Sequence, residues 1–229
     1  MSMYLRYTVG SPFARSVRVV LHEKGLQYER AEEITTTSAE DRAQDAPTLQ
    51  VPAFRDGDLV LWDSKVIIEY LMTRYPGTHA SGSERPFAQT LHRPASEQED
   101  RLVLATLQTL GVSVATVSQL KWTGIGLENA FARRQADRLD YLLDWLEDCL
   151  GDDGAFWPGE TSVQDVCLAV WLDFIDNRPI DLSWRSKSRP RSQRLNERMK
   201  ARESFRANPV WYWEPGVTGY LEDGTPLYD

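Results

Sequence analysis

Two stretches of this chain put polar side chains where a strand hands over to a helix, a junction able to hold an anion. The first is YTVGSPFARSVRVVLHEKG, residues 7–25, in which Ser11 and Pro12 precede an apolar helical pattern. A helix start leaves backbone N–H groups unpaired and carries the positive end of the macrodipole, so negative charge is stabilised there. The Ser11 hydroxyl adds a donor, although serine at the N-cap and proline at N1 also serve simply to start a helix. The second is LVLWDSKVIIEYL, residues 59–71, where Asp63 and Ser64 open another helix. Asp63 suits an ammonium group and Ser64 with nearby amides suits a carboxylate; capping alone uses the same residues. Between them lies LQVPAF, residues 49–54, a Val51-Pro52 step before a strand. The remaining reactive residues, Cys149, Cys167, His22, His79 and His92, are scattered without CxxC or HExxH spacing, so no metal is expected. Both cysteines read as buried structural thiols.

The elements that must carry these residues alternate at first. Residues 3–8 read as a strand, 13–24 as a helix stopped by Gly25, and 28–34 as a second strand, which is a parallel βαβ order. An irregular stretch follows, then a hairpin at 52–61 turning on Asp56-Gly57, then a helix from Ser64 to Tyr75. Residues 76–95, rich in Pro, Gly, Ser and Thr, mark a linker, and beyond them strand signals nearly vanish. Helices are expected over 96–120, 129–150, 162–175 and 192–204, the third apolar all round and therefore central. Ser162 and Asp165 fit a capping box at its start. The fold class is thus an α/β thioredoxin-like N-terminal domain (1–78), a linker (79–95), and an all-α helical domain with a C-terminal tail (96–229).

Composition narrows the partners. A net charge of −8 over 229 residues repels phosphate backbones, so no nucleic acid is expected. The basic run from Arg185 to Arg202 is read as a solvated helix and its approach. Unbroken apolar runs are short and the N-terminus lacks a secretory pattern, so no membrane is expected and the compartment is read as cytoplasmic.

The conjunction of SPFARSVR, VPAF, WDSKVIIEYL and ETSVQDVCLA (160–169) resembles the glutathione transferase superfamily. The first string is similar to SPF.R.VR in its serine-type, tau-like and bacterial members. The resemblance implies that glutathione lies on the first domain as co-substrate. Asp63 and Ser64 would hold its γ-glutamyl end, and Val51 before a cis Pro52 its cysteinyl backbone. Gln50 would reach its glycyl end, with Arg42 a candidate for a further basic contact there. Ser11 would stabilise the thiolate, with Tyr7, at the end of the first strand, as the alternative. The electrophile pocket would include Phe13, Trp122 and Trp211, the last in an aromatic tail (210–220) that either folds over the site or packs on the helices. The implied function is a detoxifying transferase, a homodimer attacking a small apolar electrophile, with peroxide or aryl ether as further substrates. The other implied reading is a non-catalytic interaction scaffold. The zeta-class string SSCxWR is absent, and no cysteine stands at position 11, so isomerase and thiol-transfer roles are disfavoured.

Overall fold

The computed structural model describes residues 3–33, 38–77, 85–178, 180–209, 217–220 and 226–228. The chain forms two compact units, Met1–Gly82 with Arg206–Asp229, and Ser83–Phe205.

The first unit is built on a four-stranded sheet. Strand β1 (Met3–Thr8) leads into helix α1 (Pro12–Glu23), strand β2 (Tyr28–Glu33), a short helix α2 (Ala39–Ala43), the hairpin β3 (Ala53–Asp56) and β4 (Leu59–Trp62), and helix α3 (Ser64–Arg74). The strand order is β2-β1-β3-β4. β1 runs parallel to β2 and antiparallel to β3, and β3 antiparallel to β4. Alternation along β1 turns Leu5 and Tyr7 inward, both wholly buried. They join Val17, Val20 and Leu21 of α1, Phe54 of β3, and Ile67 and Leu71 of α3 in the core. Gly57 takes a positive φ of 60° at the hairpin turn, a conformation that costs glycine nothing. Helix α2 falls in the stretch expected to be irregular, because five residues capped by Ser38 show no periodicity to read.

The second unit is helical: α4 (Glu97–Trp122), α5 (Ala130–Cys149), α6 (Val163–Asp176), α7 (Pro190–Lys200) and α8 (Glu203–Arg206). α4 lies against α5 and α6, and α6 against α7. The α4–α6 approach requires Gly111, since a Cβ there would fall 2.3 Å from Trp171 Cζ2. α6 is buried along nearly its whole length. Asp165, fully buried, closes its N-terminus by accepting from the N–H groups of Ser162 (2.7 Å) and Phe156 (3.0 Å).

Several expectations are corrected here. Within the expected linker, Phe87 bridges to Thr161 and both Phe87 and Ala88 are buried. The segment after Arg206, assigned from sequence to the helical domain, groups with the first unit. Arg15 Nε of α1 donates to the Asn208 carbonyl at 2.6 Å in a buried bond. The tail also carries a small hairpin, β5 (Val217–Tyr220) with β6 (Pro226–Tyr228). Both cysteines are half-buried rather than buried. The basic run is a solvated face only in part: Arg185, Lys187, Arg194 and Lys200 are exposed, whereas Arg189 and Arg202 are buried. Arg189, with a side chain 1% exposed, bonds to the Trp184 carbonyl and pairs with Asp140 and Asp144, tying the approach to α7 onto α5. Arg198 donates to the Gly154 carbonyl and Arg202 to the Arg85 carbonyl. Finally, α4 with its preceding turn is long and apolar enough to cross a bilayer by length and composition. Ser, Thr and Gly break up its apolar runs, yet Leu102 to Leu120 contains no charge. Its buried side, including Leu107, Leu110 and Val114, is used inside the helical unit.

Candidate active site

Register brings the predicted residues together. β1 pairs with β3 so that Arg6 lies opposite Ala53, and β3 with β4 so that Ala53 lies opposite Trp62. The end of β1, the start of β3 and the end of β4 therefore meet at one end of the sheet. Ser11 follows the first, Val51-Pro52 precedes the second, and Asp63-Ser64 follows the third. Three separate sequence strings are thus brought to one end of the sheet.

Ser11 is the N-cap of α1, with extended backbone (φ −78°, ψ 116°). Its Oγ accepts from Ala14 N–H at 3.2 Å, so the hydroxyl proton is directed elsewhere as a donor. Pro12 occupies the first helical turn, which holds no acidic side chain to neutralise the dipole. The local sequence explains the geometry, because serine caps and proline at N1 needs no N–H partner. Phe13, half-buried, lies in that same turn.

Tyr7 faces the other way. It is wholly buried, and its hydroxyl donates to Glu32 Oε2 at 2.5 Å on the neighbouring strand. Arg18 stacks its guanidinium 4.7 Å from the Tyr7 ring centroid. Burial, and then the bond to Glu32, push the Tyr7 phenol well above its ordinary range. A phenol so placed donates to the edge strand β2.

Val51 and Pro52 are joined by a cis peptide, with Val51 half-buried and Pro52 buried. Asp63 is exposed, caps α3 by accepting from Lys65 N–H at 2.8 Å, and has φ 71°. Leu49, next to exposed Gln50, has φ 57°. These are the described non-glycine residues of the first unit with positive φ, and both adjoin the predicted ligand contacts. Such strained positions cluster at functional sites. Arg42 Nη1 donates to the Leu49 carbonyl at 3.3 Å, which places it beside Gln50 in the chain path.

The expected pocket residues fall in different units of the chain. Phe13 belongs to the first unit. Trp122 ends α4 in the second, where the Arg178 guanidinium lies 5.9 Å from its ring centroid. Trp211 lies outside the described residues, as does most of the aromatic tail. Sequence reasoning overlooked Arg15, although it stands inside the SPFARSVR string. A buried arginine at a helix start needs a carbonyl partner, and that partner, Asn208, is too distant in sequence to be guessed.

Residues 5–79 match the family model of the glutathione S-transferase N-terminal domain. A stringent starvation protein A homolog of Haemophilus influenzae is 35% identical over 96 residues, which cover 42% of this chain and 41% of that protein. The first such relatives are matched over less than half of their own length. The dichloromethane dehalogenase of Methylophilus leisingeri is 28% identical over 98% of this chain and 84% of its own. In fold, the chain is similar to a glutathione S-transferase of Methylobacterium radiotolerans crystallised with glutathione sulfonate. The TM-score is 0.77 at 22% identity, over 96% of this chain and 100% of that one. Residues 5–79 thus match the glutathione S-transferase N-terminal domain, and the chain as a whole has the two-domain fold of the glutathione transferases to which it is similar.

Proposed function

We infer that this chain binds glutathione along its first unit and activates the thiol for attack on a small apolar electrophile. The observation that carries this reading is the meeting of Ser11, Val51-Pro52 and Asp63-Ser64 at one end of the sheet. A free thiol titrates at about 8.5, and lowering that by about two units needs about 2.7 kcal/mol of preference for the anion. A hydrogen bond to a charged group supplies about 1.5–3 kcal/mol and a helix start about 0.3–1 kcal/mol. Ser11 and the acid-free first turn of α1 are together sufficient. The Ser11 hydroxyl donates and keeps its proton; the thiol proton passes to solvent. The thiolate then forms a carbon–sulfur bond as the leaving group departs with its electron pair. Phe13 would flank the electrophile, with Trp122 and Trp211 as further candidates. A hydroperoxide or an aryl ether would draw on the same thiolate.

Calorimetry on the reduced protein should detect glutathione binding, and a chloro-dinitrobenzene assay should detect turnover. Absence of binding at millimolar glutathione would overturn the reading. A second reading, a binding scaffold without turnover, is favoured by the relatives named stringent starvation protein A homologs. Glutathione binding with no activity on chloro-dinitrobenzene, hydroperoxide or aryl ether would select it.

The assembly is read as a homodimer. α4 presents an uncharged outward stripe of Leu102, Ala105, Thr109 and Val112, with Leu102 56% and Val112 51% exposed.

A further inference from the structure

Helix α2 and the turn after it carry Arg42 and Gln50, yet no residue of α2 is buried. Apolar packing therefore does not hold this helix in place, and charge takes over. Arg6 of β1, on the strand face opposite Leu5 and Tyr7, reaches it with three nitrogens. Nη1 donates to the Asp41 carbonyl at 3.0 Å, Nη2 lies 3.3 Å from Asp41 Oδ2, and Nε lies 3.2 Å from Asp45 Oδ2. Arg55 of β3 donates to Asp45 Oδ1 at 2.7 Å. Asp45 is only 8% exposed, so each of two neighbouring strands sends a guanidinium to one nearly buried carboxylate. Charge-assisted, forked bonds of this kind fix direction as well as distance. Arg55 is itself braced over the Tyr4 ring, 5.4 Å from its centroid.

Asp45 is the hinge point of the segment. The N–H groups of Asp45 and Ala46 turn back to the Arg42 carbonyl at 3.1 and 3.0 Å. Ala46 is 1% exposed and accepts from Leu49 N–H, and Leu49, with its positive φ, hands the chain to Gln50. A shift at Asp45 is thereby passed to Arg42 on one side and Gln50 on the other.

We propose that Arg6, Asp45 and Arg55 are positioning residues for the glycyl end of glutathione. They need not touch the ligand: they hold Arg42 and Gln50 where the glycyl carboxylate arrives. The proposal rests on the glutathione site inferred above, and its test separates the two. The probes are glutathione and γ-glutamylcysteine, which lacks the glycine, titrated by calorimetry into the full chain and its variants.

Asp45→Asn removes the charge at nearly constant volume. It should weaken glutathione about tenfold while γ-glutamylcysteine stays within about twofold, so that the preference for the longer peptide collapses. Arg55→Gln, which leaves Asp45 its bond to Arg6, should weaken glutathione about threefold, and Arg6→Lys should restore part of what Arg6→Gln loses. Amide exchange over residues 39–46 should accelerate in Asp45→Asn. Glu97→Gln, which breaks an exposed pair with Arg101 on α4, should change neither peptide's affinity. Equal weakening of both peptides, or an unchanged preference in Asp45→Asn and Arg55→Gln alike, would overturn the proposal while leaving the glutathione site standing. Failure of the unaltered chain to bind either peptide would overturn both.

Discussion

Ser11 and Tyr7 stand on the same passage from strand to helix, but their hydroxyls serve different ends. Ser11→Ala should remove a charge-directed donor, raising the pKa of bound glutathione thiol by about 1–2 units. Ultraviolet difference absorbance against pH reads this directly, and a variant with an unmoved thiolate titration would exclude Ser11. The same substitution removes a cap, at a stability cost of about 1 kcal/mol, whereas Ser11→Gly should cost only a few tenths. The thiolate shift should appear in both, so the two effects separate. Tyr7→Phe should leave the thiolate titration in place. It deletes one buried donor to Glu32, whose other side reaches water, and should cost about 1 kcal/mol by urea unfolding. The sequence held the signal for Tyr7: it alternates with Leu5 and Val9, and all three are buried. A motif comparison read the phenol's place along the strand, where the pleat reads its direction. Ser11, Pro52, Asp63 and Ser64 were legible because each sits at an element boundary with its own cap or turn preference. Arg6, Asp45 and Arg55 were not, because ion pairs between separate strands and a short helix leave no local pattern.

At the scale of elements, two polar clamps set testable limits. Asp165 closes α6 from a fully buried position, with Arg198 3.6 Å away. Asp165→Ala would strand two buried N–H donors and remove a carboxylate from beside Arg198, and should cost about 3–5 kcal/mol in urea unfolding, with Asp165→Asn intermediate. The second clamp ties the β3–β4 hairpin to the end of α3. Asp56 accepts from Tyr75 and from Tyr70, the latter at 2.8 Å. The Tyr75 hydroxyl, foremost, holds the Asp56 carboxyl below its ordinary 3.8. A carboxyl depressed on folding adds stability above its unfolded pKa and loses it as pH falls through the folded one. Unfolding midpoints should therefore drop below about pH 4 more steeply in the native chain than in Tyr75→Phe. Equal slopes would show the clamp idle. The capping box was legible from four residues; the Asp56 clamp was not, since its three members are brought together only by the hairpin. The basic run misled only at its buried members, for a related reason: charge counted along a sequence says nothing of the Asp140 and Asp144 carboxylates that meet Arg189 from another helix.

For the whole molecule, the stripe on α4 makes a prediction of mass. Light scattering should give twice the 26.2 kDa chain, and Leu102→Arg, placing a charge on that stripe, should halve it without unfolding the helices. A native mass already equal to one chain would overturn the dimer. The two-part architecture was legible in the change from alternating to helical periodicity near residue 80. Membership of the last segment was not, because a buried bond that ties it among the described residues runs from Arg15 to a backbone carbonyl, which any residue supplies. That bond also orders events during synthesis. Asn208 is made 193 residues after Arg15, so at about 5–20 residues per second the starting helix waits about 10–40 s for its partner to emerge. The stretch Ser83–Phe205 is continuous and can close meanwhile. The first unit, begun before Ser83, is therefore completed only after Ser83–Phe205 has been made.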